Sequence, residues 1–315
     1  FQQLAGQGLC KCAHHLAFEG DDCQQNNFAV VVLECSKFAI ALWAVERALT
    51  ALLSLRCCSG PLHQQSQKRK IHWLILLATL GTFGVTLIDV LIFPDVLKSM
   101  QAYLAAFSFF ETIAYVCLYA SIFQLCLYWV GVAETRKQVP IFLKVFKACI
   151  ASLQMLYFCV LALIILVLQE PGIVVIFSQM FGLLLSIFLL TGTWRLASAF
   201  VPHLGHPAHI SSTSTSTCDN SPGACTSESR IQVHIAATRT QKRLQQEVGK
   251  VKSISCTICR DFVMTFFFSV LFVKSAQGTI ADVDLAILSR MAAFLSMMDM
   301  HFAIIGYLTG LPVSW

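Results

Sequence analysis

The stretch Met100–Ala133 constrains this chain more than any other, because it carries a single charged side chain, Glu111, among Leu, Phe, Tyr, Ala and Val. As a helix rising 1.5 Å per residue it is about 50 Å long, more than the ~30 Å of a hydrocarbon core. Such a helix has to tilt or project beyond the bilayer. It ends in Glu134, Arg136 and Lys137, as a span does where it meets water.

Six more apolar runs accompany it: Phe28–Leu55, Ile71–Phe93, Ile141–Leu168, Gly172–Ala199, Ile258–Val273 and Leu285–Leu308. All but one have the ~17–25 residues a membrane helix needs. The exception, 258–273, spans if its polar start at Arg260 and Asp261 lies at the interface. Composition agrees: charged residues are 12% of the chain and mean hydropathy is +0.70, whereas soluble domains carry about 25% charged residues. The fold expected is all-α, a membrane-embedded seven-transmembrane helix bundle with the lipid bilayer as its first partner.

Orientation follows from Lys and Arg in the connections. Residues 56–70, 134–147 and 195–260 hold sixteen of them, while the alternate side has only Lys11, Lys98 and Lys274. This predicts an amino terminus outside and a carboxyl terminus in the cytosol. The net charge of +5 reflects those loops and gives no reason to expect nucleic acid. Residues 1–27 then form an extracytosolic segment, 28–200 the first five spans, 201–255 a cytosolic loop and 256–315 the last two spans. Residues 1–27 lack an apolar core of signal-peptide length, so the first span is expected to act as its own insertion signal. A start at Phe1 without Met leads us to expect further residues beyond the sequence in hand. Within the cytosolic loop, the Ser/Thr tract 211–217 is too polar to bury a core. The basic stretch 230–252 is rich in helix formers and is expected to extend the sixth span or to lie on anionic lipid. Pro171-Gly172 marks a turn between two spans.

Ionisable groups inside a bilayer are costly and are functional candidates by default. Asp89, Glu111 and Arg290 lie about 4, 10 and 6 residues below the outer ends of spans two, three and seven, roughly 6, 15 and 9 Å deep. They are expected either to pair across helices or to line an outward-facing cavity for a ligand or ion. Asp299 and His301 form a second polar pair of positions in the inner half of span seven. Glu34 and Lys37 fall near the outer end of span one, where snorkelling of the lysine to the interface is the simplest reading. Cys57-Cys58, directly after span one, suit palmitoylation. Cys10, Cys12 and Cys23 lie outside, where disulfides are allowed, and Cys256-x-x-Cys259 lacks the second pair a zinc site needs. Span seven has no lysine for a retinal Schiff base, and no phosphate-cradling glycine loop or G-x-S-x-G motif occurs. Neither a metal, a cofactor nor an enzymatic activity is expected.

The topology resembles that of G-protein-coupled receptors, and Glu134-Thr135-Arg136 echoes their acidic-Arg motif at the end of span three. Asn-Pro-x-x-Tyr in span seven and Trp-x-Pro in span six are missing. A second resemblance covers residues 66–137. Gln67-Lys68 and His72 open span two, followed by Phe109-Phe110, Tyr128-Trp129, Ala133-Glu134 and Arg136. This order is similar to the tobamovirus multiplication protein family of seven-span membrane proteins, although that family's Arg within span two and its Pro ahead of the Phe-rich part of span three are absent. The resemblance implies an integral protein of internal membranes that docks cytosolic partners such as a small GTPase. Two functions compete: a receptor-like protein taking input at Asp89, Glu111 and Arg290 and coupling to a G protein or small GTPase through Glu134, Arg136 and Lys137, or a scaffold that recruits partners without signalling. A transporter or channel is the third reading, with no internal repeat to support it. The membrane is expected to be the plasma membrane or an internal one.

Overall fold

A computed structural model describes residues 2–3, 10–11, 18–19, 25–26, 28–54, 62–91, 100–134, 141–165, 171–200, 227–276 and 283–310. Two short antiparallel pairs come first: β1 (Gln2–Gln3) with β2 (Cys10–Lys11), and β3 (Phe18–Glu19) with β4 (Gln25–Asn26). Seven helices follow: α1 (Phe28–Ser54), α2 (Leu62–Leu91), α3 (Met100–Glu134), α4 (Ile141–Leu163), α5 (Pro171–Phe200), α6 (Ser227–Ala276) and α7 (Val283–Thr309). Each is long and apolar enough to cross a membrane. The protein is therefore an all-α, multi-pass membrane protein.

Helix limits depart from the apolar runs where polar sequence still favours helix. α2 begins at Leu62, so the stretch HQQSQKRK is helical before the apolar part starts. α6 joins the basic stretch 230–252 and the sixth apolar run in one helix of 50 residues, about 75 Å long at 1.5 Å per residue. Pro171, read as part of a turn, is the first residue of α5, where its missing N–H and fixed φ are compatible with a helix start. α7 stops at Gly310, whose φ of 71° is left-handed, and Pro312 follows. A glycine at that position ends a helix without the Cβ penalty other residues would meet.

By contacts the chain divides into two units, one of Phe1–Ile187 with Thr257–Trp315 and one of Phe188–Cys256. In the first, α2 packs along both α1 and α3, α7 closes against α1 and α2, and α4 lies on α3. α2 and α3 approach so closely at Gly81 that an added Cβ would stand 2.7 Å from the Ala114 backbone nitrogen and 2.9 Å from the Phe110 carbonyl oxygen. Alanines 41, 44 and 48 turn inward from α1, and with Ala41 and Ala44 pack Phe294, Met298 and Phe302 of α7. An aromatic cluster joins α3 to α6: Tyr119 stacks on Tyr157 with centroids 4.6 Å apart and on Phe262 at 5.5 Å, while Tyr157 lies 4.8 Å from Phe181. The Tyr119 hydroxyl donates to the Ser178 carbonyl, and Gln179 Nε2 donates to the Tyr115 hydroxyl at 3.0 Å. These bonds answer the demand that polar atoms in hydrocarbon be satisfied within the protein. In the second unit Lys252 lies over the Trp194 ring, 5.2 Å from its centroid. Large apolar side chains such as Leu42, Met155, Leu156, Leu184 and Ile187 face outward, as lipid-facing positions do.

Candidate functional site

At the end of the bundle where α1 and α7 begin and α2 ends, four charged side chains interlock. Lys37 Nζ lies 2.6 Å from Glu34 Oε2 and 3.3 Å from Asp89 Oδ2. Arg290 Nη2 reaches the same Asp89 Oδ2 at 2.8 Å, and its Nη1 is 3.3 Å from Glu34 Oε1. The Tyr103 hydroxyl donates to Asp89 Oδ1 at 3.0 Å. Lys37 also stands 5.7 Å from the centroid of the Phe294 ring, within cation–π range. Each carboxylate thus touches both cations, and the network ties α1, α2, α3 and α7 together. Such closed pairing offsets the desolvation that would make any one of these charges prohibitive alone.

Spacing on α1 makes this possible. Glu34 and Lys37 are three residues apart and share one helix face, and that face is inward: they are 2% and 4% exposed. Lys37 accordingly does not snorkel to an interface. Asp89 is 3% exposed near the end of α2, and Tyr103 approaches it from the first turn of α3.

Beside the network is a cavity of about 130 Å³. It is lined from five helices, with Lys37, Asp89 and Arg290 on one wall and Glu111, Tyr115, Thr82, Thr86 and Thr265 among the other groups. Asp89, Glu111 and Arg290, singled out by their depth in three different spans, therefore do meet. Asp89 and Arg290 pair directly. Glu111 stands apart: it is half-buried, lines the cavity and has no hydrogen-bond or ion-pair partner among the described residues.

A second polar layer lies toward the other end of α6 and α7. Arg260 Nη2 donates to Asp299 Oδ2, and Arg260 Nε to Asp261 Oδ1 at 2.8 Å. Asp261 is buried while Arg260 is 59% exposed, so the guanidinium holds two carboxylates from the bundle's outer surface. Trp129 Nε1 donates to the Tyr307 hydroxyl at 2.9 Å, joining α3 to α7. His301 Nδ1 is 2.9 Å from the Met297 carbonyl within its own helix, and its buried Nε2 has no partner among the described residues. Asp299 and His301, proposed together, thus go separate ways. The backbone of Glu134 closes α3, whereas Arg136, Lys137, Cys57 and Cys58 lie outside the described residues. Among the described residues no group of His, Cys, Asp and Glu is placed to hold a metal ion.

Sequence reading missed Glu34, Lys37, Tyr103 and Thr265 as members of the site. The i,i+3 spacing of Glu34 and Lys37 was the available signal; the hydroxyls carried none. Compared with family models, with curated proteins and with solved structures, the chain matches none.

Proposed function

We propose that this chain is a receptor-like signalling protein of the membrane, taking its input at the cavity beside Asp89, Glu111 and Arg290. The observation that carries this reading is the convergence of five helices on one cavity whose largely apolar lining includes a carboxylate, Glu111, with no ion-pair partner among the described residues. A scaffold has no need of such a cavity, and unpaired polar groups in a bilayer persist where function requires them. α6 and α7 both line the cavity and are tied again by Arg260 and Asp299, close to the cavity-lining Thr265 and Met297. A change of packing around the cavity can thereby reach this ion pair. The excess of Lys and Arg in alternate connections supports an amino terminus outside and a cavity that opens away from the cytosol. Output would pass through Glu134, Arg136 and Lys137 and the start of α6 to a G protein or small GTPase, the partner class that the two resemblances imply.

The test compares wild type with Asp89→Asn by quantitative proximity labelling of cytosolic proteins in cells. The receptor reading predicts that the variant changes the amount of recruited partner. Recruitment unchanged by Asp89→Asn would make the protein a scaffold. Ion flux in proteoliposomes that disappears in Asp89→Asn would make it a channel or transporter.

A further inference from the structure

Three carboxylates, Glu34, Asp89 and Glu111, share this region with two cations, Lys37 and Arg290. Both cations are fully engaged: each contacts both Glu34 and Asp89. Glu111 is the remainder, so with every group ionised the region carries one uncompensated negative charge. An uncompensated charge in a low-dielectric interior is expensive, and a partner for it belongs in the adjoining space.

The lining of that space favours a cation. The Thr82 hydroxyl donates to the Ala78 carbonyl at 3.1 Å and Thr86 to the Phe83 carbonyl at 2.9 Å. With their protons so occupied, both oxygens are left as acceptors. Thr265 supplies an independent sign of a missing occupant: it lines the cavity and is 4% exposed, yet its buried Oγ1 has no partner among the described residues. Buried hydroxyls are nearly always satisfied by protein, water or ligand. Size restricts the occupant further. A volume of about 130 Å³ falls short of the roughly 300–1,000 Å³ of sites for drug-sized ligands.

We propose that the cavity binds a small monovalent cation, either an alkali-metal ion with its remaining waters or a small primary ammonium, held by the Glu111 carboxylate and the oxygens of Thr82, Thr86 and Thr265. The inference names the ligand chemistry of the cavity used in the receptor reading, but binding itself requires no signalling.

The test measures the thermal unfolding midpoint of the full chain, purified in detergent, in NaCl, KCl or methylammonium chloride. Each is compared with N-methyl-D-glucamine chloride, whose cation is too bulky to enter, at equal ionic strength. Binding to the native state raises the midpoint saturably with ligand concentration. The expected result is a saturable rise of several degrees with at least one small cation. A response to sodium or potassium identifies a metal ion, and a response to methylammonium alone identifies an amine ligand. Glu111→Gln abolishes the response and leaves the midpoint in N-methyl-D-glucamine no lower than wild type. Thr265→Val retains the response at about tenfold higher concentration, as the loss of one oxygen ligand predicts; this variant carries the test if Glu111→Gln does not fold. Equal midpoints in all four salts, meaning that Glu111 holds a proton instead, would overturn the proposal, as would a response that neither variant alters. A cation response that depends on Glu111, combined with recruitment indifferent to Asp89→Asn, would establish the site and remove the receptor reading.

Discussion

Lys37 has two carboxylates within 3.3 Å and an aromatic ring beneath it, and almost no contact with solvent. Replacing it by Met leaves Glu34 and Asp89 to share Arg290 alone. Breaking one side of a buried pair costs about 3–5 kcal/mol, whereas removing both charges together is often close to neutral. We therefore expect Lys37→Met to lose about that much stability in equilibrium unfolding by denaturing detergent. Adding Glu34→Gln should recover more than half of the loss. A loss below about 1 kcal/mol for Lys37→Met, the range of exposed pairs, would mean that the network is hydrated. Residue type and depth made Asp89, Glu111 and Arg290 legible from the chain alone, since charges rarely occur there without a role. They could not say which residues pair. Lys37 shows why: nine residues into α1, a long side chain can reach either a headgroup or a neighbour, and only the inward face of α1 decides.

The helices themselves were readable because a run of twenty apolar residues has few alternatives in a bilayer. Their inward faces were not, because both sides of each span are apolar and amphipathic periodicity is lost. α2 and α3 illustrate this. Gly81 occupies the inner face of α2 with no side chain to announce it, and the contact is backbone against backbone. Gly84 likewise faces the ring of Phe110, which stands where its Cβ would be. An aromatic ring can rotate away, but the backbone at Ala114 cannot. Gly81→Val should accordingly destabilise by about 1–3 kcal/mol, as overpacking does, and broaden the elution profile of the purified protein. A variant as stable as wild type would show that α2 and α3 leave room for a side chain at position 81.

At the scale of the bundle, seven spans among the described residues put the two ends of this stretch on opposite sides, and the loop charges predict which end is outside. With the amino terminus outside, Cys57 and Cys218 both fall in cytosolic connections. An impermeant thiol reagent should label them only after cells are permeabilised, and labelling of either in intact cells expressing the protein at the surface would reverse the orientation. The proposed receptor function rests on where the two polar layers sit along the spans. One surrounds a cavity and the other, at Arg260 and Asp299, ties α6 to α7 beyond it. The central claim is that Glu111 faces a water-accessible cavity that opens away from the cytosol. It is tested most directly by Glu111→Cys in sealed vesicles of known orientation, treated with a cationic, impermeant methanethiosulfonate and mapped by mass spectrometry. The account predicts an adduct at position 111 when the reagent is on the extracytosolic side and none when it is on the cytosolic side; an unreactive thiol, or one modified only from the cytosol, would contradict it.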